Sequence, residues 1–352
     1  MSYTNGLDKP SDYFTTKLFT GNGGTNAITG VGFQPDWIWF KNRTSAQSHA
    51  IVDSVRGRKG LQSNATDTEY TLASGKDFGT FDSDGFTVLT PQQLNSFNYN
   101  TGSIVSWNWV AGTSFTNDAS GTGIGSIDSA GSASDASGFS ICSYTGTGSN
   151  ATVKHGLSTT PSMIIHKRRD DASGWPTWHT FLGTGILELN ENGASQGGSS
   201  YTNGTAPTSS VFSIGTSGDI NADGGTFIAY CFAEKQGYSK FSNYKGNAST
   251  NGTFVHTGFK PAFVMVKKSA GTGSWAMQDN KRTPFNVQKK SLFANLSDAE
   301  TDSANDAVDF LSNGFKFKSD TANYNTDGDA YIYMAFAEQP FVTSTGVPAT
   351  AR

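Results

Sequence analysis

The chain has 352 residues, including 41 glycines, and only 15% of its residues are charged, with a formal net charge of −4. Good helix formers are scarce, which excludes a helix-rich architecture, and the 25 Phe, 12 Tyr and 7 Trp exclude a disordered chain. The negative charge gives no footprint for nucleic acid, and no apolar run reaches the ~20 residues of a membrane span. Many short aromatic strands joined by small-residue turns are expected.

The chain begins with a short arm, residues 1–13. Met1–Pro10 has neither the basic nor the apolar region of a secretory signal, so we expect a protein made in a reducing cytoplasm. Cys142 and Cys231 are too few for a disulfide framework. Their strands could lie close together, but a disulfide is not expected in that compartment.

Three segments then open with the same pattern, a turn proline followed by an apolar strand that ends in lysine. The lysine follows the proline by six positions in each segment. Such runs are typical of a strand entered through a proline turn. The three runs are Gly32–Lys41, Thr159–Lys167 and Gly258–Lys267.

The correspondence continues downstream of each lysine. Eight residues later stand His49, Trp175 and Trp275. A Leu-x-x-Asn motif follows at Leu61/Asn64, Leu187/Asn190 and Leu292/Asn295. Each segment then closes on an aromatic strand, at Ile104–Trp109, Phe227–Phe232 and Tyr331–Phe336. The preserved order predicts three copies of one unit.

We therefore predict an all-β chain of three tandem antiparallel β-sandwich or jelly-roll-like repeats. Residues 113–137 are almost all Ser, Gly, Ala, Thr and Asp, which predicts a flexible linker or an extended surface loop. The repeats are expected at 14–112, 138–236 and 237–340, followed by a C-terminal tail at 341–352.

In two of the three segments an Asp and an Arg stand at matching offsets from the strand lysine, and a Glu follows. At the same offsets the second segment has His179 and Leu182, and it has no matching Glu. The residues vanish together, which predicts one charged unit in space. The pattern allows a paired-carboxylate site for glycoside hydrolysis or a structural Arg–carboxylate pair that pins a loop, and its duplication favours the structural interpretation. The residues are Asp53, Arg56 and Glu69, and again Asp279, Arg282 and Glu300.

Other candidate sites are weaker. The five histidines show no zinc spacing, and Asp82–Gly85 lacks the further ligands of a calcium loop, so a hairpin turn is expected there. Trp37/Trp39 and Trp107/Trp109 each share a strand face; the sequence favours core packing over a sugar-binding platform. No catalytic, cofactor-binding or metal-binding residue is predicted.

The first segment resembles a known family. Gly32–Arg43, followed by His49, Asp53–Gly57, Leu61–Asn64 and Phe81–Phe86, resembles an uncharacterised β-repeat in virion structural and tail-fibre-like proteins of marine tailed bacteriophages. The resemblance is specific over the first segment and fair over the third, while the middle segment lacks the Asp-Ser-Val-Arg run. It implies a virion surface component assembled in the host bacterial cytoplasm, and it carries over no catalytic residues.

Two functional hypotheses follow. The first is a non-enzymatic virion surface protein, a tail fibre or spike or a head decoration, that acts in host attachment or virion assembly. Its expected partners are other capsid or tail proteins, with host-surface glycans and further copies of the chain as candidates and the arm 1–13 as a candidate anchor. No heptads indicate a coiled-coil stem, which argues against an autonomous long fibre. The alternative is a carbohydrate-active or lectin-like sandwich that acts on host glycans.

Overall fold

The computed structural model describes residues 7–350 and confirms the all-β class. Regular structure other than strand is limited to single turns in this part of the chain. These turns are three short helices, Ala119–Thr122, Ser199–Thr202 and Gly218–Asn221, and three 3-10 turns, Pro10–Asp12, Thr180–Leu182 and Ala304–Asp306. We call residues 14–112, 113–236 and 237–340 the first, second and third segments.

The first segment forms a four-stranded main sheet in the order β1-β9-β3-β4, a small sheet in the order β2-β8-β7, and the pair β5-β6. Its strands are β1 (Phe14–Thr20), β2 (Asn26–Thr29), β3 (Trp37–Asn42), β4 (Ala50–Asp53), β5 (Lys59–Gly60), β6 (Tyr70–Thr71), β7 (Phe78–Asp82), β8 (Gly85–Val88) and β9 (Ser103–Trp109). The expected hairpin at Asp82–Gly85 is confirmed, because Asp82 pairs with Gly85 at the turn between β7 and β8.

The second segment forms a seven-stranded main sheet in the order β10-β11-β12-β18-β14-β15-β16 and the pair β13-β17. Its strands are β10 (Thr113–Asn117), β11 (Ser129–Ser134), β12 (Phe139–Thr145), β13 (Ala151–Lys154), β14 (Met163–Arg168), β15 (Pro176–His179), β16 (Ile186–Glu188), β17 (Val211–Ile214) and β18 (Thr226–Phe232).

The third segment forms a six-stranded main sheet in the order β19-β27-β21-β22-β23-β24 and a small sheet in the order β20-β26-β25. Its strands are β19 (Ser239–Lys245), β20 (Phe254–His256), β21 (Phe259–Lys268), β22 (Ala276–Asp279), β23 (Lys290–Phe293), β24 (Thr301–Asp302), β25 (Val308–Leu311), β26 (Gly314–Phe317) and β27 (Ala330–Pro340).

The three main sheets have the same central order. The first strand of this central order is β1, β12 or β19, and it pairs with the closing aromatic strand, β9, β18 or β27. The closing strand pairs in turn with the strand that carries the Pro-to-Lys lysine, β3, β14 or β21, and all these pairings are antiparallel. The Pro-to-Lys runs and the closing aromatic runs therefore lie side by side at the centre of each sheet.

The prediction of a linker or loop at 113–137 is wrong. β10 and β11 form a hairpin, and β11 extends the sheet by pairing with β12 from Ser129↔Tyr144 to Ser134↔Phe139. The small residues allow β11 and β12 to approach each other closely, because a Cβ on Gly131 would lie 1.8 Å from the carbonyl oxygen of Ile141. The composition reflects side chains small enough to fit there, and does not indicate a lack of structure.

The segments pack around a shared core. Each segment has a hydrophobic cluster of its own, and a further cluster takes buried residues from all three main sheets. The Trp37 ring lies 4.6 Å from Trp109 and 4.7 Å from Tyr230 of the second segment, measured between centroids. Trp39 and Trp107 are also buried, so the interpretation of these tryptophans as core residues is confirmed. The three segments therefore contact one another in a closed cluster.

Described residues near both ends of the chain contact each other on this cluster. Residues 1–6 of the arm lie outside the described residues, but Leu7 is buried in the shared core and the ring of Tyr13 contacts that of Tyr238. The Asp8 carboxylate accepts a hydrogen bond from the Ser344 backbone N–H at 2.7 Å, which ties the arm to the tail. Cys142 and Cys231 are buried and free. Among residues 7–350, no helix is long and apolar enough to cross a membrane.

Candidate functional site

The lysine at the end of each Pro-to-Lys run bonds to a neighbouring segment. All three lysines are fully buried, and burial lowers the pKa of each to about 8. Each Nζ donates to a backbone carbonyl five residues past the leucine of the neighbour's Leu-x-x-Asn motif. The contacts are Lys41 Nζ to Ser297 O at 2.9 Å, Lys167 Nζ to Thr66 O at 3.0 Å, and Lys267 Nζ to Asn192 O at 3.3 Å. The first segment thus contacts the third, the second the first, and the third the second.

The aromatic residue eight positions past each lysine repeats this ring. Its ring nitrogen lies 2.9 Å from the carbonyl oxygen that directly follows the neighbour's motif leucine. The pairs are His49 Nε2 with Phe293 O, Trp175 Nε1 with Gln62 O, and Trp275 Nε1 with Glu188 O. Trp39 Nε1 donates to His49 Nδ1 at 2.7 Å, so Nε2 carries the proton of this neutral imidazole. Burial lowers the pKa of His49 well below its ordinary value.

The asparagine of the Leu-x-x-Asn motif orients the same aromatic residue. Its Oδ1 accepts the backbone N–H of that residue in all three segments. The distances are 2.8 Å from His49 to Asn64, 2.8 Å from Trp175 to Asn190, and 2.9 Å from Trp275 to Asn295. The motif positions therefore build the junctions between segments.

The first charged cluster lies at the junction between the first and second segments. Arg56 and Asp53 have fully buried side chains, and Arg56 Nε donates to Asp53 Oδ2 at 2.6 Å. Arg56 Nη1 also donates to Glu69 Oε2 at 3.1 Å. From the second segment, Tyr230 OH donates to Asp53 Oδ2 at 2.8 Å, and Arg169 holds both oxygens of Glu69 at 2.8 and 3.1 Å. The predicted trio does meet in space, and together with Tyr230 and Arg169 it forms a cluster that spans two segments.

The second cluster repeats this arrangement between the third and first segments. Arg282 Nε donates to Asp279 Oδ2 at 2.6 Å and Arg282 Nη1 to Glu300 Oε2 at 3.2 Å. Both oxygens of Glu300 accept from Arg43 at 2.8 Å. Trp107 Nε1 takes the place of the Tyr230 hydroxyl and donates to Asp279 Oδ2 at 3.1 Å.

The junction between the second and third segments has the same backbone contact without the charges. Ser195 N–H donates to Ser269 O at 2.8 Å, where the other junctions have Glu69 to Arg169 O and Glu300 to Arg43 O, each at 2.9 Å. His179 Nε2 lies 3.3 Å from Tyr333 O, and burial lowers the pKa of His179 to about 4, so it is neutral at pH 7. At this junction His179 and Leu182 stand in place of the Asp–Arg pair, and Ser195 and Ser269 stand in place of the Glu–Arg pair.

Arg43, Arg169 and Tyr230 were missed by the sequence reasoning. Two of them carry a signal: an arginine stands two positions after the strand lysine in the first and second segments, while the third has Ser269. Each arginine belongs to the segment that faces a Glu-bearing neighbour. Tyr230 carries no such signal, because its equivalents Trp107 and Met334 share only bulk.

The electrostatics of both clusters favour charged, locked side chains. Burial by itself raises the pKa of Glu69, but Arg169 and Arg56 lower it below its ordinary value. Glu300 behaves alike, because Arg43 and Arg282 outweigh its burial. The general acid of a glycoside hydrolase is a carboxyl group of raised pKa. The pKa values of Glu69 and Glu300 are shifted in the opposite direction. No group of three or more His, Cys, Asp or Glu within residues 7–350 could hold a metal ion.

A different surface carries a large groove. It lies beside the β10–β11 hairpin and the outer end of β12, with a volume of about 790 Å³. Its lining includes the polar side chains of Asn117, Asp118, Asp128, Ser143 and Thr145. The hairpin that forms one wall is present in the second segment alone among the described strands.

Comparison with known proteins places the whole cluster in one family. Residues 9–340 match a family described as a domain of unknown function, DUF7483. No curated protein and no solved structure matches the chain. The matched range takes in all three segments, which agrees with a single body built around one shared core. The chain belongs to the DUF7483 family.

Proposed function

We propose that this protein is a non-enzymatic surface component of a bacteriophage virion, part of a tail fibre or spike or a head decoration, that serves host attachment or virion assembly. The resemblance of Gly32–Arg43 and Asp53–Gly57 to repeats of such proteins supports the virion assignment. The observation that carries the non-enzymatic role is that the recurrent polar residues are used in the junctions. A rigid scaffold is the role that this use supports.

We also infer that residues 14–112, 138–236 and 237–340 are copies of one β-sandwich-like unit. The common order of their main sheets supports this, as do the three matching lysine contacts and the three ring-nitrogen contacts. Each unit contacts one neighbour through one face and the other neighbour through a different face. Such head-to-tail contacts close into a ring when the rotation allows it.

The virion assignment is tested on purified particles of a phage that encodes the chain. The protein is expected in gradient-purified particles at a fixed copy number. An antibody against the loop around Phe285, a residue that is 74% exposed, should decorate intact particles in electron micrographs. Finding the chain only in the infected-cell lysate, and not in the particles, contradicts the proposal. Release of reducing sugar from host glycans that Glu69→Gln abolishes would contradict the non-enzymatic role.

A lectin-like role is the second candidate, because the groove beside the β10–β11 hairpin offers hydroxyl, amide and carboxylate groups on an open surface. A glycan array would show binding that Thr145→Trp blocks by filling the groove. The matched control is Thr20→Trp, since Thr20 ends β1 as Thr145 ends β12 and both residues are exposed. Binding that survives Thr145→Trp would place any glycan site elsewhere.

A further inference from the structure

β1, β12 and β19 occupy the same position in their main sheets, but among the described strands only β12 has a further strand on its outer side. β12 is covered by β11 along Phe139–Tyr144. β1 and β19 each end their sheets and, within residues 7–350, pair with one strand only. An uncovered edge strand presents unpaired N–H and C=O groups that can accept another strand. The covered edge of β12 shows how this fold fills such a position.

The free edge of β1 is defined by its ladder with β9. Val110 N–H donates to Tyr13 O and Gly21 N–H donates to Gly102 O, and hydrogen-bonded pairs alternate along an antiparallel ladder. The odd-numbered residues of β1 therefore bond to β9. The N–H and C=O groups of Thr16 and Leu18 point away from the sheet.

The corresponding edge of β19 is partly blocked by its own chain. The Glu234 carboxylate accepts the Phe241 backbone N–H at 3.3 Å and is bridged by Lys240 Nζ at 2.7 Å. Lys235 O accepts the Ser239 N–H. Charged side chains on an edge are a common way to prevent strand addition, and β1 has no comparable carboxylate on its outward N–H groups in the described structure.

A cleft runs along the free edge of β1. It has a volume of about 330 Å³ and is lined by Thr15–Leu18, Gly30 and Lys281. Lys17 and Lys281 are the charged residues among those that line this cleft. Lys17 is the middle residue of β1, so antiparallel pairing with β1 of a second copy over the full strand length would set Lys17 opposite itself, and like charges directly opposite are destabilising. The occupant should therefore be a different strand that carries an acidic group.

We propose that the outer edge of β1 (Phe14–Thr20) binds an extended strand of a partner protein, rich in Gly, Ala and Ser and carrying at least one carboxylate. The segment that fills the equivalent edge of β12 has this chemistry: Ser129–Ser134 is built of Ser, Ala and Gly, between Asp128 and Asp135. Main-chain hydrogen bonds supply the affinity in such strand addition, and side-chain fit supplies the selectivity. This inference goes beyond the proposed virion role and does not depend on it.

The test uses the full chain and a synthetic peptide with the sequence of residues 127–135 as the probe. Amide hydrogen exchange of Thr16 and Leu18 is expected to slow by about tenfold when the peptide is at about ten times its dissociation constant. Leu18→Pro removes an outward N–H and leaves the β9 ladder intact, because proline is tolerated on edge strands, and it should abolish the protection. The matched variant Asn243→Pro, at the same position of β19, should leave peptide binding unchanged.

The outcomes separate clearly. If Leu18→Pro fails to fold, Lys17→Glu decides, because it keeps the ladder and should weaken binding of the acidic peptide at low ionic strength. The proposal is overturned if amide exchange at Thr16 and Leu18 is unchanged at the highest soluble peptide concentration. It is also overturned if the wild type, Leu18→Pro and Lys17→Glu bind the peptide equally well. Dimerisation of the free chain that Leu18→Pro abolishes would show a second copy on this edge and would also overturn it.

Discussion

Replacement of Arg56 by leucine tests whether the charged cluster stabilises the junction between the first and second segments. The change removes the cation that bonds to Asp53 at 2.6 Å and to Glu69 at 3.1 Å. Leucine is the residue that the second segment has at the equivalent position, Leu182. The side chain is therefore compatible with this fold, and the charge is the main thing that changes.

The magnitude follows from the burial of the partners. Asp53 has a fully buried side chain and would retain only the Arg56 backbone N–H and the Tyr230 hydroxyl as donors. Leaving one member of a buried ion pair without its partner costs about 3–5 kcal/mol of unfolding free energy. Glu69 loses less, because Arg169 still holds both of its oxygens.

The double variant Asp53→His/Arg56→Leu provides the decisive comparison. It reproduces the pair His179 and Leu182 found in the second segment and leaves no uncompensated buried charge. Since the two residues are in direct contact, their effects should not add, and the double variant should be more stable than Arg56→Leu by about 2 kcal/mol. Urea unfolding at pH 7, followed by tryptophan fluorescence from the shared core, measures both values.

Arg168→Leu is the matched control. Arg168 pairs with Asp170 and Asp171, whose side chains are 38% and 63% exposed, and an exposed ion pair contributes at most about 1 kcal/mol. If Arg56→Leu costs no more than Arg168→Leu, the cluster is not a stabilising element. A double variant that is less stable than Arg56→Leu would refute the idea that the stranded Asp53 charge dominates the cost.

Three further predictions concern pH and packing. Burial raises the pKa of Glu188 from its ordinary 4.5 to about 8. Its protonated form therefore stabilises the fold below pH 4.5, and this contribution is lost as the pH rises through 8. Glu188→Gln should flatten the fall in Tm between pH 4.5 and 8. Arg43 and Arg282, outweighing burial, lower the pKa of Glu300, so its stabilisation is present above pH 4.5 and lost in acid, and Glu300→Gln should show a weaker loss of Tm below pH 4.5 than the wild type. Gly131→Ala sets a Cβ against Ile141 O and should cost about 1–3 kcal/mol in urea unfolding, with faster amide exchange confined to β11; an unchanged exchange rate there contradicts this.

The sequence allowed the strands and the cluster residues to be predicted because both have local signals. Alternating aromatic runs such as Trp37–Asn42 mark strands whichever neighbour they have. The common loss of Asp, Arg and Glu from the second segment indicated one spatial unit, and Asp53, Arg56 and Glu69 do meet. The partners Arg169 and Arg43 could not be assigned, since pairing across segments depends on the order of the segments around the shared core.

The error over residues 113–137 has a physical cause. Small polar residues are typical of linkers because they bury too little apolar area to hold a fold together. Here β11 gains its stability from the ladder with β12, and bulky side chains are excluded by the close contact at Gly131. A strand stabilised by main-chain bonds to an existing edge has no hydrophobic period to detect.

The three matching junctions also indicate where a specific function should be sought. A residue that recurs in every segment at the same offset, such as Lys41 and its equivalents, is explained by a contact that the fold must make three times. If the segments are copies of one unit, as proposed, a partner that binds at a single site must recognise a feature in which the segments differ. Within the described residues, the segments differ in the β10–β11 hairpin on the second, the exposed Phe285 on the third, and the edge of β1 on the first, which is unpaired and lacks the carboxylate that binds the outward Phe241 N–H on β19. Because the equivalent edge of β12 is paired with β11, the edge of β1 is the difference for which the fold suggests the chemistry of a partner.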